Sequence, residues 1–291
     1  MTLSLEQLSA RVAGSTPALL QWVQAQLASG HSPTILLRTL TDAGWQPQVA
    51  QATLEAMTLQ WAGQVSSQLH SATVHMPQPA LSGLRGDIDA GDRTVQVLMS
   101  MQNPNIVLLG NLLSPQECDA IIADARPAMA RSKTVATQSG GEEVNSDRTS
   151  EGMFFQRGQT AVVERLEARI AQLLQWPVDH GEGLQVLNYH PGAQYKPHHD
   201  YFNPHEPGSA ALLRRGGQRV ATVVIYLNDV PAGGCTYFPE SRLRIHPRKG
   251  NAVFFGYAQP QAHTLTLHAG DPVEEGEKWI ATKWLREKTF Q

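Results

Sequence analysis

The segment VATVVIYL at residues 220–227 carries the strongest strand signal in the chain. It is almost continuously apolar and rich in valine, which is typical of a strand buried on both faces. Other short segments of similar character surround it, and Gly, Pro and Asn-Asp pairs separate them. Many short strands with turn signals between them predict a sandwich, a barrel or a jelly roll. The predicted strands are residues 184–189, 220–227, 235–238, 243–246, 252–255, 264–268 and 279–285.

Helices and strands are mixed in the region before this one. Residues 95–99 alternate as in a strand, and residues 106–109 form a short apolar run. Ser-Pro-Gln-Glu at residues 114–117 is a capping box with proline at the first helical position, so a helix is expected to follow. Another helix is expected from about residue 160 to residue 176. The polar, glycine-bearing residues 132–150 predict a mobile loop.

The first 70 residues predict a small all-α domain of unknown role. Thr-Pro at 16–17 and Ser-Pro at 32–33 each supply an N-cap and a first-turn proline, and Pro47 opens a third helix. Short helices cannot bury an apolar stripe alone, so the three are expected to pack together. Residues 71–92 contain Pro, Gly and Ser without periodicity and predict a linker. Residues 93–291 form the second predicted domain.

Composition narrows the class of protein. The chain has 291 residues, 41% of them hydrophobic and 17% charged, with a formal net charge of -3. This excludes wholesale disorder and gives no electrostatic indication of nucleic acid or an anionic membrane as a partner. Two distant cysteines, Cys118 and Cys235, form no disulfide framework or zinc motif. With no signal-peptide pattern at the N-terminus, we expect a cytoplasmic protein.

The segment YKPHHDYF at residues 195–202 contains a candidate metal motif. In an extended strand, His198 and Asp200 point to one face and His199 points to the other. Two histidines and one carboxylate form the facial triad of non-haem Fe(II) oxygenases, so a second histidine must come from elsewhere. Taken alone, an H-x-D pair is more often a pair of polar residues on a strand face.

The C-terminal region offers the missing groups. His268 lies in TLHAGD, and Lys278 follows ten residues later on a predicted strand. An iron site that uses 2-oxoglutarate needs a cation for the distal carboxylate of that acid, and lysine can provide it. A strand that begins at Lys278 directs Ile280, Thr282 and Trp284 to the same face as the lysine.

Five segments in order resemble the catalytic domain of prolyl 4-hydroxylases, which are Fe(II)- and 2-oxoglutarate-dependent dioxygenases. The resemblance extends from about residue 105 to residue 291. The resemblance implies a C-terminal double-stranded β-helix, a jelly roll with supporting helices, so the predicted class is α+β. The segments are SDRTSEGMFF, LQVLNYHPGAQYKPHHDYF, QRVATVVIYLNDVPAGGCTYFP, PRKGNAVFF and LHAGDPVEEGEKWIATKWLRE.

The resemblance also implies roles for single residues. His198, Asp200 and His268 are implied as the catalytic iron ligands. Lys278 is implied to pair with the distal carboxylate of 2-oxoglutarate, and Tyr189 to donate a hydrogen bond to the same carboxylate. His263, five residues before His268, is a rival for the distal ligand, but the spacing to Lys278 and the Leu-His-Ala-Gly context favour His268.

Further positions match the co-substrate pocket and the substrate side of the family's site. Thr236 and Trp284 are implied to line the co-substrate pocket. Arg219 matches a position near the peptide substrate, and Arg148 lies in a loop that matches a segment closing over the peptide. His199 points away from the metal face and is expected to be structural or to support the metal ligands indirectly.

The implied reaction is hydroxylation of a peptidyl proline, as in procollagen-proline 4-dioxygenases. It uses Fe(II), O₂ and 2-oxoglutarate, releases succinate and CO₂, and implies ascorbate as reductant. The expected partner is a proline-containing protein or peptide. Two alternatives remain: the same chemistry on a free amino acid, another side chain or a small metabolite, and an inactive β-helix that serves as a binding module. The sequence does not determine the oligomeric state.

Overall fold

The computed structural model describes most of the chain as two compact units. One unit comprises residues 1–75 with 261–263, and the other comprises residues 76–260 and 264–291. No helix among the described residues combines the length and apolar character needed to cross a bilayer. The described residues are 4–29, 31, 33–58, 76–79, 81, 86–132, 134–135, 142–143, 147–204 and 206–291.

The first unit contains four helices within residues 4–58. Ser4 and Thr16 cap the first two helices, each accepting a hydrogen bond from a backbone N–H at the helix start. Their apolar faces form one cluster that includes Leu20, Val23 and Leu54. The short helix α1 was not expected from the sequence, and the end of the predicted domain at residue 70 lies outside the described residues. The helices are α1 (Leu5–Ser9), α2 (Pro17–Ala28), α3 (Pro33–Asp42) and α4 (residues 47–58).

The described residues of the second unit form three α-helices, α5 (Pro115–Ala125), α6 (Ala161–Leu174) and α7 (Ser209–Arg214). The capping box at the start of α5 forms as predicted, with Ser114 and Glu117 each accepting a hydrogen bond from the other's backbone N–H. Helix α7 was not expected from the sequence.

The strands of this unit pair in antiparallel fashion throughout. They are β1 (Asp87–Asp89), β2 (Thr94–Met101), β3 (Asn105–Gly110), β4 (Ala130–Arg131), β5 (Thr134–Val135), β6 (Glu142–Glu143), β7 (Glu151–Phe155), β8 (Leu184–Tyr189), β9 (Tyr195–His198), β10 (Arg219–Tyr226), β11 (Ala232–Gly233), β12 (Thr236–Phe238), β13 (Leu243–Ile245), β14 (Ala252–Gly256), β15 (His268–Gly270), β16 (Val273–Glu275) and β17 (Lys278–Arg286).

Two sheets dominate the unit. The larger has nine strands in the order β1-β2-β3-β14-β10-β17-β8-β7-β4, and the smaller has four in the order β13-β12-β15-β9. Strand β10, which contains most of the apolar segment 220–227, lies between β14 and β17 in the larger sheet. Two further pairs, β11 with β16 and β5 with β6, complete the described strands. The predicted mixture of helices and antiparallel sheets is confirmed.

The larger sheet buries both of its faces. One face packs on α5 and α6, and Trp279 and Ala281 of β17 belong to that cluster. The other face shares a cluster with Phe238 and Ile245 of the small sheet, and Ile280 of β17 points into it. The alternation predicted along β17 is therefore observed, and Lys278 lies on the face of the sheet that carries Ile280.

Further regions differ from the sequence expectations. Residues 264–268 were predicted as a strand, but a 3₁₀ turn spans Ala262–Thr264 and the strand β15 begins only at His268. Residues 87–89 fall within the predicted linker 71–92, but they form strand β1 because they pair with β2. Within the predicted loop 132–150, β5 and β6 pair as a short hairpin. The remainder of that loop up to residue 146, and residues 59–75, lie outside the described residues.

Candidate active site

Strands β9 and β15 bring two histidines together. His198 and His268 are direct partners in the register between these strands. Their ring centroids are 4.3 Å apart. Strand β9 ends at His198, and Asp200 follows two residues later. The distant histidine that the H-x-D motif requires is therefore supplied by the neighbouring strand of the small sheet.

His198, Asp200 and His268 form a compact cluster of potential ligands. Their ligand atoms all lie within 4.8 Å of one another. The Nε2 atom of His198 lies 3.6 Å from Oδ1 of Asp200, and Nε2 of His268 lies 3.7 Å from Oδ2. Asp200 and His268 are buried. Two imidazoles and one carboxylate at these distances can surround a single divalent ion.

Backbone hydrogen bonds orient both imidazoles. His198 Nδ1 lies 2.8 Å from the carbonyl oxygen of Lys196, and His268 Nδ1 lies 3.0 Å from the carbonyl oxygen of Thr266. A carbonyl only accepts, so each Nδ1 carries the proton and each Nε2 lone pair is available. This is the arrangement found around metal-bound histidines, and the donor set suits Fe(II).

The charges of the cluster also suit a cation. Burial opposes ionisation of Asp200, but the neighbouring His268 and His198 outweigh it and hold the pKa of this carboxyl below its usual range. Burial, reinforced by His198, lowers the pKa of His268 to about 4. At neutral pH the aspartate is ionised and His268 is neutral, which are the forms that bind metal.

A pocket extends from this cluster along the larger sheet. Lys278 is 3% exposed and lines it. The lysine is the register partner of Tyr189 across β17 and β8, and its Nζ lies 5.6 Å from the centre of that ring. Among the described residues, no carboxylate lies within ion-pairing distance of this ammonium group. A buried cation without an anionic partner suits a carboxylate ligand.

Burial has a measurable consequence for Lys278. It lowers the pKa of the ammonium group to about 8, although Cys235 and Asp271 act in the opposite direction. A group with this pKa is mainly protonated at neutral pH. The pocket therefore presents a positive charge to an anionic ligand.

The remaining pocket residues expected from the sequence also line it. Tyr189, Thr236, Trp284 and Arg148 are all among the lining residues. Thr236 accepts a hydrogen bond from the Tyr226 hydroxyl at 2.8 Å, which fixes it in the wall. The indole N–H of Trp284 is buried and has no hydrogen-bond partner among the described residues.

Arg148 comes to the pocket from the loop before β7. Its guanidinium carbon lies 4.3 Å from the centre of the Tyr195 ring, and that ring stacks on His198 with centroids 3.6 Å apart. Tyr195 was missed in the sequence analysis as a pocket residue, although it stands three residues before His198. The strand alternation that selects His198 gives no signal for it.

Arg219 contacts Glu182 and Trp284. It is not among the described residues that line the pocket. Its Nε and Nη2 donate to the two carboxylate oxygens of Glu182 at 2.6 and 2.9 Å, and its guanidinium stacks on Trp284 at 3.9 Å. These contacts fix the guanidinium beside Trp284. The substrate-side role that the resemblance implies for Arg219 stays a prediction.

His199 and His263 are not members of the ligand cluster among the described residues. His199 stacks on Tyr201 with ring centroids 4.6 Å apart, and burial lowers its pKa to about 4. This agrees with the structural role expected for it. His263 lies in the 3₁₀ turn and is not part of the cluster formed by His198, Asp200 and His268.

Sequence reasoning missed two residues that support Asp200. One contacts the carboxylate directly, and the other contacts the first. Thr222 of β10 donates a hydrogen bond to Asp200 Oδ2 at 2.7 Å, and the Tyr257 hydroxyl lies 2.8 Å from the same threonine oxygen. The available signal was a polar residue inside the apolar segment VATVVIYL. Burial and the negative charge of Asp200 raise the pKa of Tyr257 well above its ordinary value.

Comparison with known proteins supports the interpretation of this cluster as an iron site. The sequence matches the 2OG-Fe(II) oxygenase superfamily over residues 184–286. It is 38% identical to prolyl 4-hydroxylase 5 of Arabidopsis thaliana over 222 residues, which is 69% of this chain and 74% of that protein. It is also 38% identical to prolyl 4-hydroxylase 1 of the same plant over 245 residues, covering 72% and 84% respectively.

The chain is also similar to a solved structure, the viral collagen prolyl hydroxylase from Paramecium Bursaria Chlorella virus-1 in complex with 2OG. The two share 30% sequence identity over 62% of this chain and 95% of that chain, with a TM-score of 0.49.

The site and the sequence matches together define a 2-oxoglutarate- and Fe(II)-dependent dioxygenase. The buried histidine–aspartate–histidine cluster and the adjacent buried lysine are the groups that such an enzyme requires. The chain belongs to the prolyl 4-hydroxylase family of these enzymes.

Proposed function

We propose that this chain hydroxylates a proline residue in a protein or peptide, with His198, Asp200 and His268 as iron ligands and Lys278 as the partner of 2-oxoglutarate. The observation that supports this most directly is the buried ammonium of Lys278, which has no carboxylate partner among the described residues and lies on the pocket that also contains the three ligands. An anion-accepting group next to a metal-ligand cluster suits a co-substrate that has a chelating end and a distal carboxylate.

The iron, when bound with 2-oxoglutarate and O₂, supplies the oxidation that yields succinate, CO₂ and a hydroxylated C–H bond. The protein residues hold and orient these groups. His198, Asp200 and His268 would hold the ion through three ligand atoms, and a site with only three protein ligands would leave room for the co-substrate and O₂. Lys278 and Tyr189 receive the distal carboxylate.

Apolar side chains protect the same pocket from water. Leu187, Val224 and Ile280 line it on the side of the larger sheet. Excluding water strengthens the electrostatic contacts of the co-substrate and limits side reactions. Trp284, which contacts Arg219 and Phe154, lines the co-substrate pocket in this proposal.

Several finer expectations belong to the same proposal. The two antiparallel sheets are interpreted as the double-stranded β-helix of this enzyme class. Ascorbate is the expected reductant. A cytoplasmic location stays a prediction. A separate N-terminal helical domain of residues 1–70 also stays a prediction. Arg148 is proposed to act on the substrate side, because it lies next to Tyr195 at the pocket.

Peptidyl proline is the substrate that the relatives support, since their names describe prolyl 4-hydroxylases. The alternative substrates are a free amino acid, another side chain or a small metabolite. An inactive binding module is disfavoured because the ligand cluster and the buried lysine occur together.

Incubation with proline-rich peptides, Fe(II), 2-oxoglutarate and ascorbate is expected to add one oxygen atom to a proline, because the proposed site inserts one atom of O₂ into a C–H bond. Tandem mass spectrometry locates the modification, and matched peptides with alanine in place of proline are the control. Modification of the alanine peptides at another side chain, or oxidation of free amino acids alone, would contradict the peptidyl-proline assignment.

Binding of 2-oxoglutarate is expected to weaken as pH rises above about 8. The protonated form of Lys278 binds the carboxylate, and burial lowers its pKa to about 8. Affinity is therefore constant below that pH and falls by up to ~10-fold per pH unit above it, the limit for loss of one proton. Titration calorimetry from pH 6.5 to pH 9.5 measures this. The Lys278→Arg variant stays protonated, so its binding is expected to lack the decline, and an identical decline there would assign the effect to another group.

A further inference from the structure

We propose that Thr222, itself fixed by Tyr257, is a positioning residue that occupies one carboxylate oxygen of Asp200 so that the other oxygen is presented to the iron. This inference rests on the proposed iron-dependent function. It concerns two residues that make no contact with substrate in the proposal and act only through Asp200.

The hydrogen-bond chain has a defined direction. Thr222 Oγ1 lies 2.7 Å from Asp200 Oδ2 and 2.8 Å from the Tyr257 hydroxyl oxygen. A threonine hydroxyl has one hydrogen, and an ionised carboxylate can only accept. The hydrogen of Thr222 therefore goes to Asp200, and Tyr257 donates to Thr222. The order is Tyr257 to Thr222 to Asp200.

The hydrogen-bond chain from Tyr257 to Asp200 is rigid and sheltered from water. Thr222 is fully buried in β10, and Tyr257 is 1% exposed immediately after β14. The two strands are register partners in the larger sheet, so their relative position is fixed by backbone hydrogen bonds. A second contact holds the backbone of Asp200, where Nη1 of Arg219 donates to its carbonyl oxygen at 3.4 Å.

The contact selects between two ways of binding an ion. A carboxylate that is free to rotate can bind a cation through one oxygen or through both. Thr222 donates to Oδ2 at 2.7 Å, whereas the Nε2 atoms of the two histidines, at 3.6 and 3.7 Å from the carboxylate, carry no proton to donate. The Thr222 hydrogen bond engages one lone pair of Oδ2 and leaves both lone pairs of Oδ1 free of this donor. In this proposal Oδ1 is therefore the oxygen that binds the ion. Binding through one oxygen keeps a further coordination position open for the co-substrate and O₂.

The strand sequence is consistent with a specific need for a hydroxyl here. Thr222 lies among Val220, Val223 and Val224 in a strand where valine fits well. Valine has nearly the shape of threonine, so packing alone does not require the hydroxyl. Replacing it would leave Oδ2 without its donor and Tyr257 without its acceptor inside the protein.

The test is Co(II) binding to the full chain under anaerobic conditions, measured by calorimetry and by the visible absorption of the bound ion. Thr222→Val is expected to weaken Co(II) binding by ~10–100-fold, as is typical for loss of a group that orients a ligand. It is also expected to change the absorption spectrum, which reports coordination number. Thr222→Ser is expected to restore both, and Tyr257→Phe to give a smaller loss. Thr53→Val, the same change at a buried site in helix α4, is the matched control.

The outcomes separate this inference from the proposed function. Wild-type affinity and spectrum in a folded Thr222→Val variant would overturn the role of Thr222 and leave the iron site standing. If Thr222→Val fails to fold, the Thr222→Ser and Tyr257→Phe variants carry the test. A wild-type spectrum in Thr222→Ser together with weaker Co(II) binding in Tyr257→Phe would support the role of Thr222. Unchanged Co(II) binding in Tyr257→Phe would contradict it. A wild-type chain that binds no Co(II) would overturn the iron site and this inference together.

Discussion

The His268→Ala variant is expected to lose iron-dependent conversion of 2-oxoglutarate to succinate. His268 supplies one of the three ligand atoms, and its Nε2 lone pair is free because Nδ1 is bonded to the backbone of Thr266. Loss of a residue that merely orients a ligand costs ~10–100-fold in metal affinity, so loss of the ligand itself is expected to cost more than ~100-fold. Succinate formation and Fe(II) binding by equilibrium dialysis measure the effect.

The matched control is His263→Ala, which changes the rival histidine. His263 lies outside the ligand cluster, so this variant is expected to keep its activity. Thermal unfolding followed by circular dichroism shows whether His268→Ala is folded, since the ring also packs on Phe255 with centroids 4.6 Å apart. Normal activity in His268→Ala together with inactivity of His263→Ala would move the ligand to His263.

The Lys278→Met variant is expected to need far more 2-oxoglutarate while keeping its iron affinity. Methionine fills a similar space without the charge. Removing one partner from a buried charge-assisted contact costs about 2–5 kcal/mol, which corresponds to a rise of about 30- to 5,000-fold in KM for 2-oxoglutarate. Steady-state kinetics with varied 2-oxoglutarate measure this, and Lys249→Ala, which changes a lysine paired with Asp119, is the control.

A second readout distinguishes this explanation from general damage to the fold. Lys278 is a buried charge without an anionic partner among the described residues, and burial lowers its pKa to about 8. A lysine whose pKa is lowered by folding destabilises the folded state at any pH where the unfolded chain is protonated. At pH 7, without co-substrate, Lys278→Met is therefore expected to unfold at a higher temperature than the wild type. An unchanged KM for 2-oxoglutarate would refute the assignment of Lys278.

Sequence patterns predicted the parts of the site that follow strand alternation. The alternation along β17 placed Lys278, Ile280 and Trp284 on one face, and the structure has them lining one pocket. Pairing of His198 with His268 follows from the neighbouring positions of β9 and β15, which the sequence alone does not give. The resemblance to a family supplied that partner.

The remaining features depend on contacts between distant segments. Arg219 matches a substrate-side position, yet Glu182 is close enough in space to pair with it. The contact of Tyr257 with Thr222 joins two strands at 2.8 Å. Neither pair has a local sequence pattern. The strand prediction for residues 264–268 was wrong for a related reason. The apolar alternation of this segment is weak, and pairing with β9 and β12 begins only at His268.

The most direct test of the central claim is anaerobic binding of 2-oxoglutarate to the purified chain, with and without Fe(II). The proposed site predicts one Fe(II) per chain and tight 2-oxoglutarate binding that requires both the ion and Lys278. A chain that binds no iron, or that binds 2-oxoglutarate equally well after both His198 and His268 are replaced by alanine, would contradict the claim.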